Sequence, residues 1–216
     1  MDGKPGKGGK LFSALELFFL LGMVPVLVMA VHGHAFRHAV LLAGCLYTIV
    51  RVHKFISWRR LFARPPVRWW RGPLVRGLLV FAVAAVYVRC TAPDQLFRLP
   101  LEHTRLWLLI IVLYPSLSVL PQELIYRVWV FEAHRPLWTS FTLPVIVSAL
   151  FFGWVHVIYA GWFAVLSCIA GGLALGWNYH VNRSGPGAIW PLLLEHSLYG
   201  LTMFTVGLGQ YFFIPR

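Results

Sequence analysis

Long apolar stretches separated by short polar segments limit how this chain can fold more than any other feature of its sequence. Of its 216 residues, 59% are hydrophobic and only 12% are charged, and the mean hydropathy is +0.71. A soluble domain carries about 25% charged residues. Because an apolar helix needs ~20 residues to cross a bilayer, the sequence predicts an all-α, polytopic transmembrane helical bundle of about seven (six to eight) spans.

The predicted spans begin near the N-terminus and continue to the end of the chain. They are residues 11–31, 39–52, 74–91, 106–131, 139–157 and 160–179, and a last span that begins near Ile189. The first also fits a signal peptide, but it is longer than the 7–15 residues of an apolar signal core. We therefore expect an uncleaved first helix and a single transmembrane domain over residues 1–216.

The charge of the chain is strongly positive, with a formal net charge of +12. Its most basic stretch, residues 51–76, combines arginines with Trp58, Trp69 and Trp70. Arginine and tryptophan together can stack on nucleic-acid bases, but beside two spans they are typical of a cytoplasmic loop at the headgroup level. We therefore expect contacts with the lipid bilayer and no nucleic-acid partner. The expected location is a bacterial inner membrane, with the N-terminus cytoplasmic.

Small residues inside the spans suggest packing roles. The three cysteines are far apart, in apolar surroundings and without metal-type spacing, which predicts small core residues and neither a disulfide nor a zinc framework. They are Cys45, Cys90 and Cys168. Gly171, Gly172 and Gly176 predict a small face for close packing of the sixth helix.

Three polar islands interrupt the apolar spans of the C-terminal half. They are Gln122, Glu123 and Arg127; His156; and the pair Glu195 and His196. Residues four apart on a helix lie on one face, so Glu123 and Arg127 can pair. Any one island alone fits a hydrogen-bonded packing residue. Because ionisable residues inside a membrane are costly, three of them on three helices favour one shared functional site.

One carboxylate and two histidines are sufficient for peptide hydrolysis. A buried glutamate can serve as general base for a water that attacks a carbonyl, and histidines can stabilise the oxyanion that forms. The same residue types are plausible zinc ligands, so a metal-dependent protease is an alternative, although no His-Glu-x-x-His run supports it. A second class of function is a non-enzymatic scaffold or transporter subunit, in which Glu123 and Arg127 form a structural pair.

The order of the motifs carries a family resemblance. Glu123-x-x-x-Arg127, Phe152-x-x-x-His156 and a helix led by His196 resemble the motifs of the CAAX-prenyl-protease and bacteriocin-processing family (CPBP, or Abi), which are intramembrane glutamic endopeptidases. The resemblance implies a catalytic glutamate with an arginine partner, two site histidines, no metal and no cofactor. It also implies a membrane-associated peptide or protein as substrate. It places the catalytic core in residues 105–216 and leaves 1–104 as N-terminal helices and a basic loop.

Two positions depart from the family pattern. Gln122 stands where the family usually has the first of two glutamates, the one usually assigned as the base, and Gly200 stands where Asn or Asp is frequent. A neutral amide cannot accept a proton as a carboxylate does. We therefore expect Glu123 to act as the base, with Glu195 as the alternative carboxylate. The other possibility is a catalytically inactive relative that binds substrates.

Overall fold

The computed structural model describes residues 7–30, 34–159 and 161–212, and the regular secondary structure in these ranges is entirely helical. Nine helices are numbered here in chain order, and short 3₁₀ turns connect some of them. They are α1 Gly8–Met29, α2 His34–Val52, α3 Trp58–Leu61, α4 Arg68–Thr91, α5 Arg98–Glu102, α6 Thr104–Ala133, α7 Leu143–Tyr159, α8 Trp162–Asn182 and α9 Ile189–Val206.

Four of these helices, α1, α4, α6 and α8, are long and apolar enough to cross a membrane. Helix α7 is apolar but shorter. The prediction of an all-helical integral membrane protein is confirmed, and a count of about seven spans stays a prediction. The sequence also predicts a turn at His32 and Gly33, between the first two spans, and this turn lies outside the described residues.

The observed helix bounds follow the predicted spans closely in the C-terminal half. Helix α6 extends the predicted span 106–131 by two residues at each end. Helix α4 instead begins at Arg68, six residues before the predicted span at 74. Its first turns carry arginines and tryptophans. A span predicted from hydropathy excludes these polar residues, although the backbone there is already helical.

The chain forms two compact units, each built from two separate segments. The first unit comprises residues 1–58 and 121–180, and the second comprises 59–120 and 181–216. The first unit contains helices α1, α2, α7 and α8 and the C-terminal part of α6. The second unit contains helices α4, α5 and α9 and the N-terminal part of α6. The single transmembrane domain remains a prediction.

Small residues bring α7 and α8 close together within the first unit. A Cβ added at Gly172 would lie 3.0 Å from the Cα of Ala149, and one at Gly176 would lie 3.3 Å from Cγ1 of Val145. The predicted small face of this helix is confirmed at these two glycines. Such close approach allows the backbone of α8 to serve as a hydrogen-bond partner for a side chain from another helix.

A polar cluster joins α1, α2 and the end of α6 in the same unit. Glu16 accepts hydrogen bonds from Nε and Nη2 of Arg51 at 2.7 and 2.9 Å, and from the hydroxyl of Tyr47. Nε2 of His134 lies 3.2 Å from the same carboxylate. Burial lowers the pKa of His134, although Glu16 and the carbonyl of Trp129 act in the opposite direction. The arrangement satisfies a carboxylate that a helix spanning a membrane otherwise carries at high cost.

The cysteines are free thiols in the described part of the chain. Cys45 and Cys168 are half-buried, but Cys90 is exposed on α4. The prediction of a core position is therefore wrong for Cys90. Apolar neighbours in sequence do not distinguish a side chain that faces lipid from one that faces other helices.

Candidate active site

Glu123 and Arg127 lie in α6, and both side chains are fully buried. Nε of Arg127 is 3.4 Å from Oε2 of Glu123. The helix widens into a π-helical turn over Leu124–Trp129, directly after the glutamate. Turns of this kind often occur at functional sites, because they shift side chains out of the regular helical register.

Arg127 also contacts both helices that pack beside it. Its Cζ lies 4.4 Å from the centre of the Phe152 ring on α7, and its Nη2 donates to the carbonyl of Gly172 on α8 at 3.4 Å. Ser148 of α7 donates to the carbonyl of Tyr126 at 2.6 Å. These contacts orient the guanidinium beside the carboxylate of Glu123, and the two groups form an ion pair in which no hydrogen bond joins Nε of Arg127 to Oε2 of Glu123.

His156 follows the α-helical part of α7 and is half-buried. Its Nδ1 lies 2.6 Å from the carbonyl oxygen of Phe152, and its ring meets the Phe152 ring edge-on at 4.8 Å. Since a carbonyl oxygen only accepts, Nδ1 carries a proton, and Nε2 of the neutral ring is an acceptor. Phe152 thus connects the first two motifs, and Glu123, Arg127 and His156 are linked within the first unit.

Helix α9 of the second unit carries Glu195, whose side chain is fully buried. Arg76 donates to both of its oxygens, from Nε at 2.5 Å and from Nη2 at 2.8 Å. The hydroxyl of Tyr199 donates to Oε1 at 2.6 Å. These three donors occupy both oxygens of the carboxylate, which leaves less room for a water to approach it. This geometry argues against Glu195 as the alternative base.

His196, Gly200 and Phe204 form one face of α9, and Tyr114 of α6 lies across that face in the same unit. The Tyr114 ring meets His196 edge-on at 6.3 Å and Phe204 edge-on at 5.7 Å. A Cβ at Gly200 would lie only 2.1 Å from the Tyr114 hydroxyl oxygen. A residue larger than glycine at this position would therefore displace the tyrosine.

Comparison with known families supports the motifs found in the sequence. Residues 104–202 match the family model described as type II CAAX prenyl endopeptidase Rce1-like. This region is Rce1-like. The match confirms the resemblance to the CAAX-protease family, and it covers every candidate residue from Gln122 to Gly200. The family is one of proteases, and with four apolar helices the match supports an integral membrane protein. No curated protein and no solved structure matches the chain.

The Rce1-like region differs from the usual family pattern at Gln122 and Gly200, and the structure shows what surrounds each of these residues. Gln122 is half-buried, whereas Glu123 next to it is fully buried. The more accessible position therefore holds an amide and the less accessible one a carboxylate. At Gly200 the tyrosine hydroxyl takes the space that a side chain would fill.

Sequence reasoning missed Arg76 and Tyr114. Arg76 was grouped with the basic stretch, although it lies inside α4 and pairs with a glutamate far away in the chain. An arginine within a helix that crosses a membrane indicates a buried partner elsewhere, so a signal was available. Tyr114 had no such signal, because only the three-dimensional structure places its hydroxyl at Gly200.

A metal-dependent alternative requires a cluster of donors. In the described ranges, no group of three His, Cys, Asp or Glu side chains is arranged to hold a metal ion. The catalytic roles of Glu123, His156 and His196 and the expectation of a metal-free site stay predictions.

Proposed function

We propose that this chain is an intramembrane endopeptidase that hydrolyses a peptide bond of a membrane-associated, lipid-modified protein tail. The observation that carries the proposal is the linked arrangement of Glu123, Arg127, Phe152 and His156 inside the Rce1-like region. If Glu123 and Arg127 formed only a structural ion pair, no histidine would be needed beside the Phe152 ring that Arg127 contacts. The description of the matched family as a CAAX prenyl endopeptidase supports a prenylated C-terminus as the proposed substrate class.

In the proposed mechanism, Glu123 takes a proton from a water whose oxygen bonds to the peptide carbonyl carbon. His156, held through Nδ1 by the carbonyl of Phe152, accepts a hydrogen bond from the second O–H of this water at Nε2 and so orients the attack. The carbon–nitrogen bond then breaks, and Glu123 passes its proton to the leaving amine. Arg127 stabilises the ionised carboxylate before Glu123 takes the proton and after Glu123 delivers it. Because Nε2 of His156 acts as an acceptor here, stabilisation of the oxyanion is assigned to His196. The participation of His196 rests on the order of the motifs in the sequence.

A second candidate is a relative that binds substrates without cleaving them. The observation that favours it is the pairing of a half-buried Gln122 with a fully buried Glu123. In this case the amide of Gln122 forms a hydrogen bond with the substrate, at the position where the family's first glutamate would activate water. The Glu123–Arg127 pair is then structural. The two candidates differ in one respect that can be measured, which is product formation.

The direct test is cleavage of synthetic C-terminal peptides by the purified protein in proteoliposomes. We expect cleavage of a farnesylated or geranylgeranylated peptide and at least tenfold slower cleavage of the same peptide without the lipid, with mass spectrometry locating the cut. The His156→Ala variant should lose at least about 100-fold in turnover, in the range of general acid–base contributions. Binding without cleavage by the wild-type protein would favour the second candidate, and neither binding nor cleavage would contradict both.

The hydroxyl of Tyr114 provides a further test of the site around His196. We propose that it donates a hydrogen bond at the place where related sequences have Asn or Asp. Tyr114→Phe keeps the ring packing against His196 and Phe204 and removes only the hydroxyl. We expect kcat to fall about tenfold, as for one hydrogen bond of ~1.4 kcal/mol, with an unchanged melting temperature. Tyr87→Phe, which alters an exposed tyrosine of α4, is the matched control.

Exchange of the two side chains gives the reciprocal experiment. Gly200→Asn alone should destabilise the protein, because its Cβ would overlap the Tyr114 hydroxyl at 2.1 Å. Tyr114→Ala combined with Gly200→Asn should recover stability and part of the activity. If Tyr114→Phe retains full activity, the tyrosine serves packing alone.

A further inference from the structure

A group of arginines in the second unit has no part in the proposed chemistry. Residues 59–71 contain five arginines, all of them exposed. They are Arg59, Arg60, Arg64, Arg68 and Arg71. We call these five side chains, together with Phe62 and Val67 between them, the arginine surface.

Four members of this surface have no interaction with another described side chain. Arg59, Arg64, Arg68 and Arg71 take part in no ion pair and no side-chain hydrogen bond among the described residues. If these arginines were paired with acidic side chains of the protein, part of their charge would be neutralised. These guanidinium groups are instead available to an external anion.

Within the second unit, no described acidic side chain pairs with these four arginines. The sequence contains no Asp or Glu between Glu16 and Asp94. In the second unit, Glu195 is occupied by a bidentate ion pair. Asp94 and Glu102 follow the far end of α4, whose 24 residues make it about 36 Å long at 1.5 Å per residue. At that distance their influence is screened at physiological salt.

Exposed apolar side chains alternate with the arginines. Val67, between Arg64 and Arg68, is 79% exposed, and Phe62 is 37% exposed. Trp190 is 40% exposed and meets the Phe62 ring edge-on at 5.8 Å. A surface in contact with water alone favours polar side chains at such positions. Positive charges interleaved with apolar groups are typical of segments at the boundary between lipid headgroups and acyl chains.

Hydrogen bonds hold this surface in place against the loop before α9. The amide of Gly187 donates to the carbonyl of Arg60 at 2.8 Å, and Nε1 of Trp190 donates to the carbonyl of Phe62 at 3.1 Å. Arg60 itself donates to the carbonyl of Ser184. Gly187 has a φ of +71°, and a Cβ there would lie 2.3 Å from the carbonyl oxygen of Ala63. The backbone is therefore ordered before any ligand binds, which lowers the entropic cost of binding.

The position of the surface indicates its ligand. It ends in the first turn of α4, a helix long and apolar enough to cross a membrane, and this position would place its arginines at the level of the headgroups. A guanidinium presents a planar pair of donors that matches a phosphate. We propose that the arginine surface binds the phosphate groups of anionic phospholipids, with Val67 and Phe62 inserted between their acyl chains. This proposal does not depend on the proposed protease activity.

The test is the thermal stability of the detergent-purified full-length protein, titrated with short-chain phosphatidylglycerol, short-chain phosphatidylcholine or inorganic phosphate. We expect phosphatidylglycerol to raise the melting temperature saturably, by about 5 °C, and added salt to reduce the rise. We expect no comparable rise with the zwitterionic lipid. An equal rise with inorganic phosphate would show a site for free anions and overturn the assignment to lipid.

Variants connect the effect to the surface. Arg64→Gln with Arg68→Gln should keep the melting temperature without lipid, because neither side chain has a described protein partner, and should lose most of the rise. Arg64→Lys with Arg68→Lys, which keeps the charge, should retain much of it. Arg89→Gln with Arg105→Gln removes the same charge from exposed positions elsewhere and is the matched control. An undiminished rise in the Arg64/Arg68 glutamine variant, or an equal loss in the control, would overturn the proposal.

Discussion

Glu123→Gln is expected to abolish peptide cleavage. Glutamine has nearly the same shape as glutamate, but its amide cannot take a proton from water. Loss of a general base typically costs 10²–10⁴-fold in rate, so turnover should fall by at least about 100-fold. The measurement is single-turnover cleavage of the prenylated peptide, with peptide binding followed in parallel. Peptide binding should persist, because glutamine has nearly the same shape as glutamate. The melting temperature should fall, since the buried Arg127 loses its counter-charge, so binding and cleavage are compared at a temperature at which the variant is folded.

The control for this substitution is Glu102→Gln, at an exposed carboxylate that pairs with Arg98 and lies outside the proposed site. It should leave cleavage unchanged. Gln122→Glu restores the carboxylate that the related sequences usually carry, at a half-buried position. We expect it to raise the rate, because the added carboxylate is more accessible to water than Glu123. Unchanged cleavage in Glu123→Gln would place the base elsewhere and contradict the proposed mechanism.

The helices of this protein could be predicted from the sequence because each apolar stretch and its polar borders are local properties. The span predicted at 106–131 corresponds to α6 at Thr104–Ala133 for this reason. The Glu123–Arg127 contact is also local, since residues four apart on a helix are neighbours. The π-helical turn over Leu124–Trp129 was not predictable from apolar periodicity.

The contacts between helices could not be predicted in the same way. The pair of Arg76 with Glu195 joins residues 119 positions apart, and spacing along one helix contains no information about such a partner. The same limit applies to Gly200. The sequence shows a glycine where the family often has Asn or Asp, but it does not show that the Tyr114 hydroxyl fills that space. The limit applies to Cys90 as well, because lipid-facing and core-facing positions are equally apolar.

The two buried glutamates of the Rce1-like region differ in their tertiary contacts. Glu195 has two arginine nitrogens at 2.5 and 2.8 Å and a tyrosine hydroxyl at 2.6 Å. Glu123 has Nε of its arginine at 3.4 Å, while that arginine also contacts Gly172 and Phe152. Charge-assisted hydrogen bonds are strongest near 2.7–2.9 Å, so the Arg76 pair holds Glu195 more firmly. The sequence alone left both carboxylates as candidates for the base.

Arg127→Met is expected to destabilise the protein more than any other single change considered. Both members of the pair are fully buried, and removing one partner of a buried ion pair costs about 3–5 kcal/mol, because it leaves an uncompensated charge. A melting temperature lower by roughly 10 °C is the expected result in detergent. The double variant Glu123→Leu with Arg127→Met should recover much of this loss, since replacement of both partners by apolar groups is often close to neutral.

Neither the single nor the double variant should cleave peptide, so recovered stability without activity would separate the structural role of the pair from its proposed catalytic role. Arg98→Met provides the matched control, because Arg98 and Glu102 are also four residues apart but half-exposed, and it should leave the melting temperature unchanged. The lost hydrogen bond to Gly172 and the lost contact with the Phe152 ring limit the recovery to part of the total. If the double variant is as unstable as the sum of its two single variants, Glu123 and Arg127 are not energetically coupled, and the buried carboxylate is stabilised by another group.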